Sequence, residues 1–220
     1  MLLNIKNTKV YLVSPGNGKY RPRLQTVFMR LVDQGYTNIE FFRSIPDPSG
    51  SDSLTRTNIE IFKKEMNNDN PFIIIEDDAQ LLFDYETVDI PDNTDALYLG
   101  VANWVYPHGH DTIGKGGYHI REHNEHDHIS IDTNLTKISG MTGTHAIIYF
   151  NREYIRRFIK ISEDLLYNNR CISVDLPFAS IQSKYNVYAL KQPMYYQDAS
   201  LGGQEGVTKL AYNGQKYMPS

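Results

Sequence analysis

Phe72-Ile73-Ile74-Ile75-Glu76-Asp77-Asp78 is the stretch on which the fold turns. Four apolar residues run straight into three acids. An uninterrupted apolar run behind Asn70-Pro71 predicts a strand buried on both faces of a mostly parallel sheet. Three carboxylates at the end of such a strand repel one another and lose hydration. A divalent cation relieves both penalties, and hard oxygen ligands suit Mg²⁺ or Mn²⁺. In open α/β sheets, ligands bind outside the carboxyl ends of the strands. A cation held by these acids would therefore sit where a phosphate-bearing ligand sits. The competing reading is a solvated acidic turn that caps a helix beginning near Ala79.

Upstream, residues 9–14 read as a first strand, and Pro15-Gly16-Asn17-Gly18 ends it. Leu24, Val27, Phe28, Leu31 and Val32 fall at helical spacing, so a helix is expected over 22–34 with Gly35 after its end. Residues 39–43 are a second strand, and together these pieces make a right-handed parallel unit. Lys19, Arg21 and Arg23 flank the first loop; basic groups at a helix start suit a pyrophosphate, or are simply solvated. A turn-rich loop over 45–53 leads to a helix expected over 54–66, capped by Asp52 or Ser53.

Downstream, Leu81-Leu82-Phe83 is expected to be a short helix and 95–101 a further apolar strand. Residues 103–137 differ in composition, with six of the seven histidines (His108, His110, His119, His123, His126, His128), and read as a solvated lid or a metal site. Ser139 to Phe150 is a Gly-rich approach to a strand, with Thr144 and His145 at its start. A helix is expected over 152–167, with Arg152, Arg156 and Lys160 forming a basic ridge. Asp175 precedes a short helix running to Gln182, either as its N-cap or as a functional carboxylate. Residues 185–190 read as a strand, 192–197 as an extended exit, and 201–220 as an irregular tail.

The chain has 220 residues and a formal net charge of −4, which argues against a general nucleic-acid or membrane-surface binder. Its one cysteine, Cys171, excludes a disulfide framework and points to a reducing, cytoplasmic setting. No signal peptide and no membrane span is expected. Sixteen tyrosines suggest an interaction surface.

The order of these pieces carries a resemblance. A strand with a basic loop, Ser53-Leu54-Thr55-Arg56-Thr57-Asn58-Ile59, Glu76-Asp77-Asp78, Asp95-Ala96-Leu97-Tyr98-Leu99-Gly100, Gly143-Thr144-His145-Ala146, Val174-Asp175 and a Tyr188…Pro193…Gln197 exit follow one another. The chain from about Val10 to Ser200 resembles glycosyltransferase family 25, which includes lipooligosaccharide and collagen galactosyltransferases, as a diverged member of viral or phage type. The resemblance implies an α/β fold of GT-A-like, single-domain type over 1–200, with a mostly parallel central sheet flanked by helices. It implies a nucleotide-sugar donor, commonly UDP-linked, and Mn²⁺ or Mg²⁺ on Asp78 and Glu76. Ser14, Arg23, Glu76, Asp77, Thr144 and His145 would contact the donor or its cofactor, and Asp175 would be the general base. The first loop and Leu54-Thr55-Arg56 depart from the family pattern, and the His-rich insert has no counterpart in it.

The reaction expected is metal-dependent transfer of a sugar by direct displacement to a hydroxyl of a glycan or protein. A nucleotidyltransferase sharing the same sheet is an alternative on fold alone, and two more stand beside it. One is sugar transfer onto a hydroxymethylated base of phage DNA, for which the ridge with Arg157 would serve. The other is a non-catalytic nucleotide-sugar or metal-binding module.

Overall fold

A computed structural model describes residues 1–101, 104–105, 120–121, 128–168, 173–197, 211–212 and 215–216. Its centre is an eight-stranded sheet. The strands are β2 (Lys9–Ser14), β3 (Ile39–Arg43), β4 (Phe72–Glu76), β7 (Ala96–Tyr98), β10 (His128–Ser130), β11 (Leu135–Ile138), β12 (Ala146–Tyr149) and β13 (Val187–Leu190). They lie in the order β10-β11-β13-β7-β12-β4-β2-β3. Six run in one direction; β11 and β12 are reversed. The α/β class and the mostly parallel, helix-flanked sheet are therefore as expected. The position of the reversed β12, between β4 and β7, is new information: strand propensity says nothing of direction.

The helices are α1 (Tyr20–Asp33), α2 (Gly50–Glu65), α3 (Arg152–Tyr167) and α4 (Asp175–Ile181). Val27 and Leu31 of α1 join the core on one face of the sheet, with Ile73 and Ile75. The other face packs Ile59 and Phe62 of α2, Phe158 of α3 and Phe178 of α4 on Phe72 and Ile74. Strand β4 is thus buried on both faces, as its apolar run requires. Since α1 and α2 lie on opposite faces, the winding switches sides between β2 and β4. That switch point is where open α/β sheets bind ligands.

Four local expectations are corrected. Helix α2 starts earlier than expected, capped by Ser49, whose side chain accepts from Asp52 N, not by Asp52 or Ser53. The segment after the acids is strand β5 (Ala79–Leu81), paired antiparallel with β14 (Tyr195–Gln197), where a helix was expected. A partner more than a hundred residues away decides that segment. The first strand is preceded by β1 (Leu2–Asn4), paired with β6 (Thr87–Asp89). Finally, Tyr11, Tyr98, Tyr149, Tyr154 and Tyr195 are fully buried, so much of the tyrosine content builds the core. The histidines at 108, 110, 119, 123 and 126 lie outside the described residues, as does most of the 201–220 tail; two short pairs, β8 (Trp104–Val105) with β9 (Ile120–Arg121) and β15 (Ala211–Tyr212) with β16 (Gln215–Lys216), are described.

The expected basic ridge is structural in part. Arg152 Nε donates to the carbonyl of Asn68 at 2.6 Å and its Nη2 to that of Asn70 at 2.6 Å, tying α3 to the turn before β4. Arg156 pairs with Glu153 at 2.5 Å. A second tie is the network on Glu65, whose side chain is only 3% exposed. Lys9 Nζ reaches Glu65 at 2.9 Å, Asn68 Nδ2 at 2.7 Å, and the Tyr11 hydroxyl also donates to it. Burial alone would raise this carboxyl, but the donations from Tyr11, Lys9 and Asn68 hold it below its ordinary 4.5. A depressed carboxyl stabilises the fold above its unfolded value and loses that contribution as pH falls through its folded value. Glu65→Gln is expected to cost about 2 kcal/mol at neutral pH, the worth of hydrogen bonds to a charged group. Urea unfolding at pH values above and below 4.5 checks this: the gap between parent and variant should close on the acid side.

Candidate active site

The acids stand at the carboxyl end of β4 and do not act as one group. Asp77 turns toward α1. Its Oδ2 accepts from the Ser14 hydroxyl, and its Oδ1 lies 2.5 Å from Arg23 Nη2. Ser14, Arg23 and Asp77, expected separately as donor contacts, are brought together but on one another. Ser14 is buried and Arg23 is nearly so. Arg23 also sits under the Tyr20 ring, 5.3 Å from its centroid.

Glu76 and Asp78 line a cavity of about 480 Å³ that Gly143, Thr144, Asp175 and Gln197 also line, and Asp78 Oδ2 lies 3.3 Å from Arg23 Nη2 as well. Each side chain has a structural reason to be there. The ladder between β4 and β12 runs one residue further, with Glu76 N donating to His145 O at 2.9 Å. That places Thr144 beside Glu76, and its hydroxyl donates to Glu76 Oε1 at 2.8 Å. The β5–β14 pair sets Gln197 opposite Ala79, so Gln197 Nε2 reaches Asp78 Oδ2 at 3.2 Å.

Asp175 arrives from the opposite wall as the first residue of α4, whose N-cap position is Val174. The N-cap reading of Asp175 is therefore replaced. Gly143 takes a φ of +95°, a backbone state that a side chain disfavours, and its N–H meets Asp175 Oδ2 at 3.3 Å. Asp175 Oδ1 is buried and has no hydrogen-bond partner among the described residues. Burial raises the Asp175 carboxyl above its ordinary range, against donations from Ser173 and backbone N–H groups. Burial, with the charges of Asp78 and Asp175, pushes Glu76 up to about 8 despite the Thr144 hydroxyl.

A second cavity, of about 560 Å³, adjoins the first across Glu76, Gly50 and Leu54. It lies at the ends of β2, β3 and β4, at the winding switch, with Tyr20, Arg43, Asp47 and Asp77 on its walls. Tyr20 and Arg43 were not picked out by any sequence signal, and Gln197 only as the end of the exit segment. Arg43 had one available: a cation at the carboxyl end of the parallel strand that precedes the acidic one along the chain.

His145 lies elsewhere than expected. It is buried beneath Gly100 and Tyr195 and lines neither cavity. Its Nε2 faces the Tyr195 carbonyl at 3.4 Å, and burial lowers its pKa to about 4, so the ring is neutral. The ring fits only because residue 100 is Gly: a Cβ there would overlap the imidazole and approach Tyr195 O at 2.9 Å.

No family model matches the chain, and no curated protein matches it. Among solved structures it is similar to the CTP:phosphocholine cytidylyltransferase of Streptococcus pneumoniae, at 8% identity and a TM-score of 0.41, over 87% of this chain and 93% of that one. A likeness of this degree transfers no residue role. Site chemistry rests on the geometry.

Could these residues hold a divalent cation? Among the described residues, no group of three or more Asp, Glu, His or Cys is gathered closely enough for an ion. What the cavity does offer is the oxygens of Glu76 and Asp78. One or two carboxylates completed by a ligand's phosphates is the ordinary Mg²⁺ arrangement, whereas an all-protein cage is not. The hard oxygen donors fit such an ion, and Asp78 and Glu76 are the residues that would hold it.

Proposed function

We propose that the protein is a metal-dependent glycosyltransferase of the family 25 type, moving a sugar from a nucleotide-sugar to an acceptor hydroxyl by direct displacement. The observation that carries the reading is the pair of adjoining cavities. One has room for a nucleoside at the ends of β2, β3 and β4, and the other faces Glu76 and Asp78 with Asp175. In this reading the diphosphate lies where the cavities meet. A divalent cation on Asp78 and Glu76, when bound, offsets the charge that develops on the leaving diphosphate.

The chain's own residues do the rest. Asp175 accepts the acceptor's hydroxyl proton at its Oδ1 while the oxygen attacks the anomeric carbon. The bond to the diphosphate breaks with its electron pair leaving on the phosphate oxygen, and the anomeric centre inverts. A buried carboxyl with a raised pKa is a stronger base than a solvated one. Gly143 N–H fixes its other oxygen, and Thr144 fixes Glu76. With Arg152 tied to backbone carbonyls and Arg156 neutralised by Glu153 at the surface, the ridge has less charge to offer a DNA backbone, so a saccharide or protein hydroxyl is the acceptor favoured.

The test is release of nucleoside diphosphate by purified protein from a panel of nucleotide sugars, with Mn²⁺ or with chelator. One donor is expected to be hydrolysed only with the metal, and Asp78→Ala should abolish that release. No release from any donor, together with no thermal shift on adding UDP and Mn²⁺, would sink the enzyme reading in favour of a different binding role. Among the described residues no helix is long and apolar enough to cross a membrane.

A further inference from the structure

Arg23 reads in the sequence as a contact for phosphates, but its surroundings suit a different task. It projects from the first turn of α1, with a side chain 11% exposed, between the two acids whose side chains are 6% and 7% exposed. Nη2 is 2.5 Å from Asp77 Oδ1 and 3.3 Å from Asp78 Oδ2. Asp77 has its other oxygen on the Ser14 hydroxyl, so both of its oxygens are engaged inside the fold. Asp78 Oδ2 is shared between Arg23 and the Gln197 amide. Arg23 lines neither cavity, whereas Asp77 borders one and Asp78 the other. A guanidinium stays charged at any working pH.

We propose that Arg23 is the resident counter-ion of the acidic motif, holding Asp77 and competing with a divalent cation for Asp78. The inference rests on the reading above, which puts that cation on Asp78. Two consequences follow from Coulomb's law at short range in a partly dry site. Without a cation, Arg23 keeps a run of three acids from repelling itself apart. With one, its positive charge opposes the ion, so the protein alone binds a divalent ion weakly.

The probe is Mn²⁺ alone, titrated into the full chain and followed by the electron paramagnetic resonance signal of the free ion and by thermal unfolding. Arg23→Met is expected to tighten Mn²⁺ binding by about tenfold or more, since it removes a like charge next to the ligand. Its melting temperature should fall without Mn²⁺ and recover with it. Arg23→Lys, which keeps the charge, should stay near the parent. Because Arg23→Met leaves Asp77 charged and buried, a double variant with Asp77→Asn removes that burden while keeping a partner for Ser14. It too should bind Mn²⁺ more tightly than the parent.

Mn²⁺ affinity that is unchanged or weaker in both charge-removing variants overturns the proposal. So does the pattern of a phosphate ligand, in which Arg23→Met weakens UDP binding at saturating Mn²⁺ and leaves Mn²⁺ affinity alone. A parent that responds to UDP with Mn²⁺ while Arg23→Met fails to tighten the ion loses this inference only. A parent that binds neither loses the glycosyltransferase reading as well.

Discussion

Asp175→Asn is expected to lower turnover by about 10²–10⁴-fold, the usual worth of a positioned general base. The substitution is close to isosteric, and the Asn carbonyl can still accept from Gly143 N–H, so the fold and the cavity wall should persist. Binding of UDP with Mn²⁺, read as a thermal shift, should therefore match the parent. The pH profile separates this role from a structural one. Burial holds the Asp175 carboxyl above its ordinary 3.8, so the parent's rate should rise with pH along a limb displaced upward from that value. The variant, having no carboxyl to deprotonate, should lack that limb. Turnover within a fewfold of the parent would rule out Asp175 as the base and leave Glu76 as the carboxylate to replace next.

The largest loss of stability is expected at Phe62, which lies between the sheet and α3 and α4. Its ring makes edge contacts with Tyr149, Phe158 and Phe178 at centroid distances of 4.9, 5.2 and 5.9 Å. Phe158 and Phe178 are themselves stacked at 4.0 Å, so the hole left by the ring cannot close without breaking that stack. Phe62→Ala should cost about 3–5 kcal/mol, transfer energy and cavity together. For a chain of this size that is roughly 6–20 °C in melting temperature. The effect should reach the site, because Phe178 belongs to α4, the helix that Asp175 opens. A melting temperature within a few degrees of the parent would mean that the aromatic layer repacks, against the density normal for protein interiors.

The two variants act at different distances from the chemistry. Asp175→Asn should change rate at constant stability. Phe62→Ala should change stability first, with activity per folded molecule falling only as α4 loosens. Measuring both in each variant keeps the site argument apart from the packing argument.

The sequence by itself determined the elements with strong local signals. The apolar run of β4 is the strand expected, helix α3 spans the residues expected of it, and β2 and β3 match theirs. A buried run, a 3.6-residue stripe or a glycine after a helix is encoded within a few residues, so it can be read without partners. Glu76, Asp78, Thr144 and Asp175 were also legible as residues worth attention, and the structure brings all four to one cavity or its wall. What each acid does was decided only in three dimensions. Asp77 is engaged by Ser14, 63 residues away, and Asp78 is met by Gln197, 119 residues away. His145 resembles its neighbour Thr144 as a candidate until the turn into β12 leaves Thr144 on the cavity and buries His145 in the core. The β5 strand, the reversed β12 and the burial of the tyrosines belong to the same class. Each depends on which distant segment supplies the partner, and a hydrogen bond or a packed face is a property of two places in the chain, of which a local pattern records only one.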